Sequence, residues 1–348
     1  MTPAISVVIC LHDSGRYIDE TIASVVSQRW TDFEVVIVDD GSTDGCADRV
    51  ERLCRDRRFR MFRRPHRGMG FARAEGISLA LGKYIAFLDH DDLWQPRKLS
   101  RQMEVAADRP AVGLIFCDSS LIDDSGRVIA LMSDRYDYNC IDFSKGAVHH
   151  ELLARGCFIP LSTALVRRDV IARAGDINCN MAYAADYDLW LRMSRISAFA
   201  YVPEPLSSWR IHKTQFSQTH VDVAAAELTG IWTSVVRDGS YPECVRALVA
   251  EHLIGQRRLS VECLLRRKRL REALVAGLAR CQDPTGRRHL AARLWRCRIR
   301  DVTAFARWCG RTIGSSAATS PAAFVRSIGD DRVRRKRLSQ LSEEWTIR

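Results

Sequence analysis

Three short runs of aliphatic and β-branched residues constrain this chain most. They are 5–11 (Ile-Ser-Val-Val-Ile-Cys-Leu), 34–38 and 83–88, and the last two run directly into clustered aspartates. Runs this short and continuously apolar suit strands buried on both faces, which is the condition of a parallel sheet covered by helices. The intervening segments carry helical spacing. Ile18, Ile22 and Val25 repeat every three to four residues behind Ser14, a candidate cap. Ala47, Val50 and Leu53 share a face of a second helix, residues 59–62 form a further strand, and a helix over 71–81 stops at Gly82. Strand–helix alternation at this spacing gives right-handed crossovers and a parallel sheet.

In such a sheet every strand delivers its following loop to one rim, where ligands bind. Asp39-Asp40-Gly41-Ser42 and Asp89-His90-Asp91-Asp92 each follow a buried strand, so the two clusters share that rim although about fifty residues separate them. So many carboxylates in one place are unfavourable without a cation or a donor-rich ligand. The Asp-x-Asp pair suits a hard divalent ion that keeps room for phosphate oxygens. Solvated turn formers explain either cluster singly and explain both together poorly.

Beyond residue 92 the spacing predicts strands over 112–117 and 128–131 with a turn at Gly126, and a polar, irregular loop over 134–150. A strand follows over 158–166 and a helix over 186–196. Past residue 220 the pattern is helical, with Leu270, Leu274 and Leu278 on one stripe. Charge divides in the same place. Residues 231–348 hold 25 Lys/Arg and 11 Asp/Glu, a net +14, which leaves 28 and 31, a net −3, in residues 1–230. The expected organisation is a catalytic domain over 1–220, a basic helical subdomain over 221–313, and a linker with a basic tail over 314–348. The twelve cysteines are scattered with no CxxC pair, reading as reduced thiols of a cytoplasmic protein rather than a zinc site. No signal peptide and no membrane span is read in the chain.

Residues 35–44 (Val-Val-Ile-Val-Asp-Asp-Gly-Ser-Thr-Asp) and 82–94 (Gly-Lys-Tyr-Ile-Ala-Phe-Leu-Asp-His-Asp-Asp-Leu-Trp) resemble family 2 glycosyltransferases. Ser24 and Gln28, residues 70–76 (Gly-Phe-Ala-Arg-Ala-Glu-Gly) and residues 186–192 (Asp-Tyr-Asp-Leu-Trp-Leu-Arg) follow the same family's pattern in order, over roughly 210 residues. The resemblance implies an α/β fold of GT-A type: a Rossmann-like, mixed but mainly parallel sheet flanked by helices, here with a C-terminal α-helical extension.

It also implies an inverting, metal-dependent transfer of a sugar from a nucleotide-sugar donor, UDP-linked in the first place, to an acceptor hydroxyl. The setting implied is cell-surface polysaccharide or glycolipid assembly. Asp40 would accept from the nucleotide base, supported by Asp39 and with Arg73 close by. Asp89 and Asp91 would bind ribose and Mg2+ or Mn2+ on the diphosphate, and Asp186 would be the general base. Residues 209–212 (Trp-Arg-Ile-His) resemble a motif closing over the diphosphate, which makes His212 a candidate. The chain departs from the family pattern at Cys10, Leu11, His12 and Asp13, where His12 can still stack on a base, and at Ala184 and Ala185 before the base.

These departures keep open a catalytically inactive, nucleotide-sugar-binding relative. A receiver domain needs neither Asp89–Asp92 nor Asp186, and a sugar nucleotidyltransferase needs a Gly-rich loop where residues 10–16 offer only Gly15. The acceptor is a glycan, a lipid-linked sugar or another hydroxyl compound. Arg266, Arg267, Lys268, Arg269 and Arg271 before the leucine stripe read either as a solvated face or as peripheral contact with the anionic inner face of a membrane. No motif points to nucleic acid.

Overall fold

A computed structural model describes residues 2–54 and 56–253. The chain forms one compact unit over Met1–Val235 and a second over Val236–Arg348, and the following account concerns the first. The leucine stripe at 270–278, the arginine cluster at 266–271 and the linker and tail from 314 lie outside the described residues.

The apolar runs form the centre of a nine-stranded sheet. Strands β1 (Ile5–Leu11), β2 (Phe33–Asp40), β3 (Phe59–Arg64) and β4 (Tyr84–Asp89) are mutually parallel in the order β3-β2-β1-β4. The sheet continues as β8 (Ala164–Arg167), β6 (Val112–Ile122), β9 (Ala198–Arg210) and β5 (Leu93–Trp94), with β7 (Val128–Leu131) pairing β6. Strand β8 runs antiparallel to both β4 and β6, whereas β6 and β9 are parallel. The sheet is therefore mixed, as the GT-A resemblance implies.

Both faces are covered. Ile5, Val7, Ile9 and Leu11 of β1 share a buried cluster with Ile18, Ile22 and Val25 of α1 (Ile18–Val26). Cys46 and Val50 of α2 (Cys46–Leu53) and Leu99 and Ala106 of α4 (Lys98–Asp108) join it. Each fully buried aliphatic side chain contributes about 1.5–3 kcal/mol relative to exposure. The opposite face carries α3 (Met69–Leu79), which approaches so closely at Gly76 that a Cβ there would lie 2.4 Å from Val8 Cγ1. Five further helices complete the unit: α5 (Ala147–Arg155), α6 (Arg168–Ala174), α7 (Ala185–Ser194), α8 (Phe216–Thr219) and α9 (Val221–Arg237).

Four local expectations are corrected. Ser14 does not cap α1, because its hydroxyl accepts the His12 N–H at 3.1 Å and Tyr17 begins the helix. Leu53 is half exposed, although Ala47 and Val50 are buried as expected. Helix α3 ends at Leu79, and Gly82 instead admits β1, since a Cβ there would stand 2.5 Å from the Ser6 nitrogen. Residues 134–150 form short turns and the start of α5, not an open loop. Tyr136 and Tyr138 are buried and pack with Phe158, while Phe116 and Tyr201 also flank Tyr138.

Candidate active site

Strand register brings the two aspartate clusters to one rim. Cys10 pairs with Val38 on one side and Asp89 on the other, and Leu11 pairs with Asp39, so His12, Asp40 and His90 emerge together from β1, β2 and β4.

Around Asp40 the pocket is closed by main chain. Its buried carboxylate accepts the N–H groups of Arg67 at 2.7 Å and Gly68 at 2.8 Å. Gly68 has a φ of +100°, a conformation that favours glycine. The His12 and His66 rings stack with centroids 4.1 Å apart, and both Nδ1 atoms face the Asp40 carbonyl at 2.9 and 3.1 Å. A carbonyl only accepts, so each Nδ1 carries a proton. His12, Asp40 and His66 are also a group of three metal-ligand-type side chains whose ligating atoms lie within 4.8 Å of one another. Asp39 is turned back on its own loop, accepting the Ser42 N–H at 3.1 Å.

The second cluster is held from several sides. Asp89 accepts from Arg73 Nη2 at 3.0 Å, and its own N–H donates to the Ser162 hydroxyl at 3.0 Å. Asp91 is buried and paired with His212 Nε2 at 2.9 Å, while His212 Nδ1 lies 2.9 Å from the Thr214 hydroxyl. Burial opposes ionisation of Asp91, but the His212 hydrogen bond and the His90 and His212 rings hold its carboxyl below the usual range. Asp92 goes the other way: burial, reinforced by Asp91 and Asp89, pushes it well above its ordinary value. Asp89 and Asp91 lie close enough to act on Asp92, and the three carboxyl groups make a donor set suited to a hard divalent cation. Such an ion needs only one or two carboxylates beside phosphate oxygens and water. His90 Nδ1, buried and without a hydrogen-bond partner, adds a polar atom in the same loop.

Asp186 stands at the N-terminal turn of α7, its Oδ1 accepting the Tyr187 N–H at 2.7 Å. Burial raises its carboxyl to about 6, with Arg73 and the Tyr187 N–H pulling down and Asp89 pushing up. Arg73 therefore feels both Asp89 and Asp186, and its Nη1 also donates to the Ala182 carbonyl at 3.3 Å. Gly70 of α3 lets this happen, because a Cβ there would lie 2.3 Å from the Met181 carbonyl oxygen. Asp39, Asp40 and His12 thus occupy one end of the rim, and Arg73, Asp89, Asp91, His212 and Asp186 the other.

A model described as glycosyl transferase family 2 matches residues 6–152. An uncharacterized glycosyltransferase of Nostoc sp. is 30% identical over 233 residues, which cover 64% of this chain and 68% of the relative. The chain belongs to glycosyltransferase family 2. Two solved structures share the fold of this glycosyltransferase. The mannosyltransferase PcManGT of Pyrobaculum calidifontis, in complex with GDP-Man and Mn2+, superposes with a TM-score of 0.57 at 19% identity, covering 90% of this chain and 86% of that one. S. aureus TarS 1-349, in complex with UDP-GlcNAc, superposes with a TM-score of 0.54 at 15% identity and 72% coverage of each chain. Asp186 and His212 lie beyond the segment matched to the family model.

Several residues that hold the glycosyltransferase site escape the sequence reading. His66 has no motif around it. Glu227 of α9 accepts the N–H groups of Ala182, Tyr183 and Ala184 at 2.8, 2.9 and 2.8 Å, and so fixes the loop that leads to Asp186. Arg210, two residues before His212 in the recognised motif, is 1% exposed. It donates to the Asp91 carbonyl at 3.0 Å and the Glu20 carboxylate at 2.7 Å, and reaches the Asp123 and Asp124 carbonyls at 3.4 Å. Among the described residues no helix is long and apolar enough to cross a membrane, and the cysteines are free.

Proposed function

We propose that this enzyme transfers a sugar with inversion from a nucleotide-diphosphate donor, a UDP-sugar in the first place, to an acceptor hydroxyl. The observation that carries the proposal is the placement of Asp186 against Arg73, which in turn holds Asp89. It sets a carboxylate with a near-neutral pKa beside the Asp-x-Asp loop. The TarS and PcManGT structures, bound to UDP-GlcNAc and to GDP-Man with Mn2+, support a nucleotide-sugar donor and a divalent ion. Their donors also supply the first probes.

In this reading the base lies between His12 and the Asp40 loop, and Asp89 and Asp91 hold Mg2+ or Mn2+. That ion, when bound, supplies Lewis-acid stabilisation of the departing diphosphate. The protein's own groups do the rest. Asp186 Oδ2 takes the acceptor proton as the hydroxyl oxygen attacks the anomeric carbon opposite the leaving phosphate. A carboxylate poised at about 6 is ionised at neutral pH yet basic enough to accept that proton. Arg73 keeps Asp186 ionised and prevents Asp89 from accumulating charge against it. His212 holds Asp91 deprotonated and oriented. Residues 1–220 form the catalytic domain of this reading, and most of the basic 221–313 stretch and all of 314–348 lie outside the described residues.

A thermal-shift screen of UDP-GlcNAc, other UDP-sugars and GDP-mannose, each with and without Mn2+, tests the proposal. A stabilisation that requires both nucleotide sugar and Mn2+, followed by release of the nucleoside diphosphate, is the expected result. No shift with any nucleotide sugar refutes it, and binding without turnover identifies an inactive relative.

A further inference from the structure

Near Tyr183, three residues before Asp186, stands an arginine for which no carboxylate partner is found among the described residues, Arg135. Arg135 follows the short turn Met132–Asp134, and that turn is anchored. The Asp118 carboxylate accepts both the N–H and the hydroxyl of Ser133, at 3.1 and 2.6 Å. Asp134 accepts the Leu131 N–H at 2.8 Å, and the N–H groups of Arg135 and Tyr136 both donate to the Met132 carbonyl at 3.0 Å. With Met132 and Tyr136 buried on either side, the main chain under Arg135 is fixed.

Its guanidinium is not satisfied. Nε is enclosed and lacks a hydrogen-bond partner, and the group rests 5.2 Å from the Tyr136 ring centroid. Arg73, Arg155, Arg192 and Arg210, by contrast, each donate to a carboxylate. An enclosed donor without an acceptor costs about 1–3 kcal/mol. Nε is out of a ligand's reach, so an incoming oxyanion would meet the outer Nη1 and Nη2 groups, which are not enclosed.

Tyr183 lies nearby. Its loop is pinned through three N–H groups to Glu227, and the residue is 36% exposed. Its hydroxyl has Asp186, Cys157, Tyr136 and Arg135 as electrostatic neighbours. The charges that act most on Asp186 itself are Arg73 and Asp89.

We infer that Arg135, Tyr136 and Tyr183 form an acceptor subsite for an acidic saccharide, with Arg135 binding a carboxylate or phosphate on the sugar that receives the transfer. A guanidinium fork matches either oxyanion with two parallel N–H donors, and a half-exposed tyrosine ring gives the sugar a face to pack on. This inference rests on Asp186 being the base of the proposed transfer.

The test titrates p-nitrophenyl β-D-glucuronide, the 6-phosphate of p-nitrophenyl β-D-glucoside, and the neutral glucoside into the full-length enzyme. The same titrations are run on Arg135→Gln and Arg135→Lys. The wild type is expected to bind at least one acidic glycoside tenfold or more tighter than the neutral one, and which one separates a carboxylate from a phosphate ligand. Arg135→Gln is expected to erase that preference, and Arg135→Lys to retain part of it. Nucleotide binding at the other end of the cleft reports that each variant is folded. Equal binding of all three glycosides by the wild type, binding of none, or a preference that survives Arg135→Gln overturns the inference. Absence of nucleotide-sugar binding sinks the transferase reading instead, and the charge preference is measured without it.

Discussion

Replacing Asp186 by Asn should stabilise this enzyme while disabling it, and the structure fixes the size and the pH window of the effect. Burial raises the Asp186 carboxyl from 3.8 to about 6. A carboxyl whose folded pKa is raised keeps its proton in the folded chain after the unfolded chain has lost it. Stability therefore falls as pH rises from about 4 to about 6, and the cost is fully present above 6. A shift of this size corresponds to at most roughly 3 kcal/mol at 1.36 kcal/mol per pH unit, and relaxation around the charge leaves about 1–3. Asparagine mimics the protonated acid and carries no such cost. At 2–4 °C per kcal/mol for a domain of this size, Asp186→Asn should raise the thermal midpoint at pH 8 by about 2–12 °C and leave it nearly unchanged near pH 4. The same substitution removes the proposed base and should lower transfer by ~10²–10⁴. Calorimetry across pH 4–8 and a nucleotide-release assay read the two effects. A lower midpoint at pH 8, or normal turnover, would show that Asp186 is neither the strained carboxylate nor the base.

Wild-type turnover should fall about tenfold per pH unit below pH 6 as Asp186 protonates, and a flat profile down to pH 5 contradicts its role. Asp91→Asn keeps shape but removes the charge that His212 supports. It should weaken Mn2+-dependent nucleotide binding about 10–100-fold without changing metal-free binding, and equal Mn2+ titrations for both proteins argue against a metal at Asp91. Arg210→Met leaves the Asp91, Asp123 and Asp124 carbonyls without their donor, so a loss of about 2–4 kcal/mol is expected in denaturant titrations. An unchanged midpoint would mean that water replaces the guanidinium at no cost. Lys98 is fully buried, with only the Gln102 amide oxygen at 2.9 Å and the Trp94 ring as partners, and burial lowers its amine from 10.5 to about 8. The cost of keeping it charged is present below pH 8 and vanishes as pH rises past 10. Lys98→Met should thus gain up to about 3 kcal/mol at pH 7 and nothing at pH 10.5, and a loss at pH 7 would refute this.

The parallel half of the sheet is legible because its information is local. The short apolar runs at 5–11, 34–38 and 83–88 suit strands covered on both faces, and the aspartates that follow the last two inherit their common rim from register alone. Beyond Trp94 the same reasoning weakens for a physical reason. Strands β6, β8 and β9 are joined antiparallel and parallel by turn, so neither a crossover rule nor a hairpin signal orders them. The 134–150 segment reads as polar because its charges sit between the tyrosines, yet Tyr136 and Tyr138 are buried. Three-dimensional aromatic packing, invisible to a periodicity of two or of 3.6, orders that wall of the cleft.

The acids of the site are legible and their partners are not, and the asymmetry follows from electrostatics. A cluster of carboxylates is costly wherever it occurs, so its recurrence after two buried strands is itself a signal. The groups that make the cluster tolerable come from everywhere else: Arg73 from α3, His212 and Arg210 from beyond and within β9, and Glu227 from α9, through main-chain N–H groups rather than charge. Each is an ordinary residue in its own element and acquires meaning only through a contact more than fifteen residues away in sequence. The compensation is also partial, since Asp92 is forced toward its neutral form and Asp186 toward a near-neutral pKa. A site built only for stability would have filled these positions with apolar side chains. Retaining crowded acids at the rim is a cost that a divalent ion bound to a diphosphate is suited to relieve.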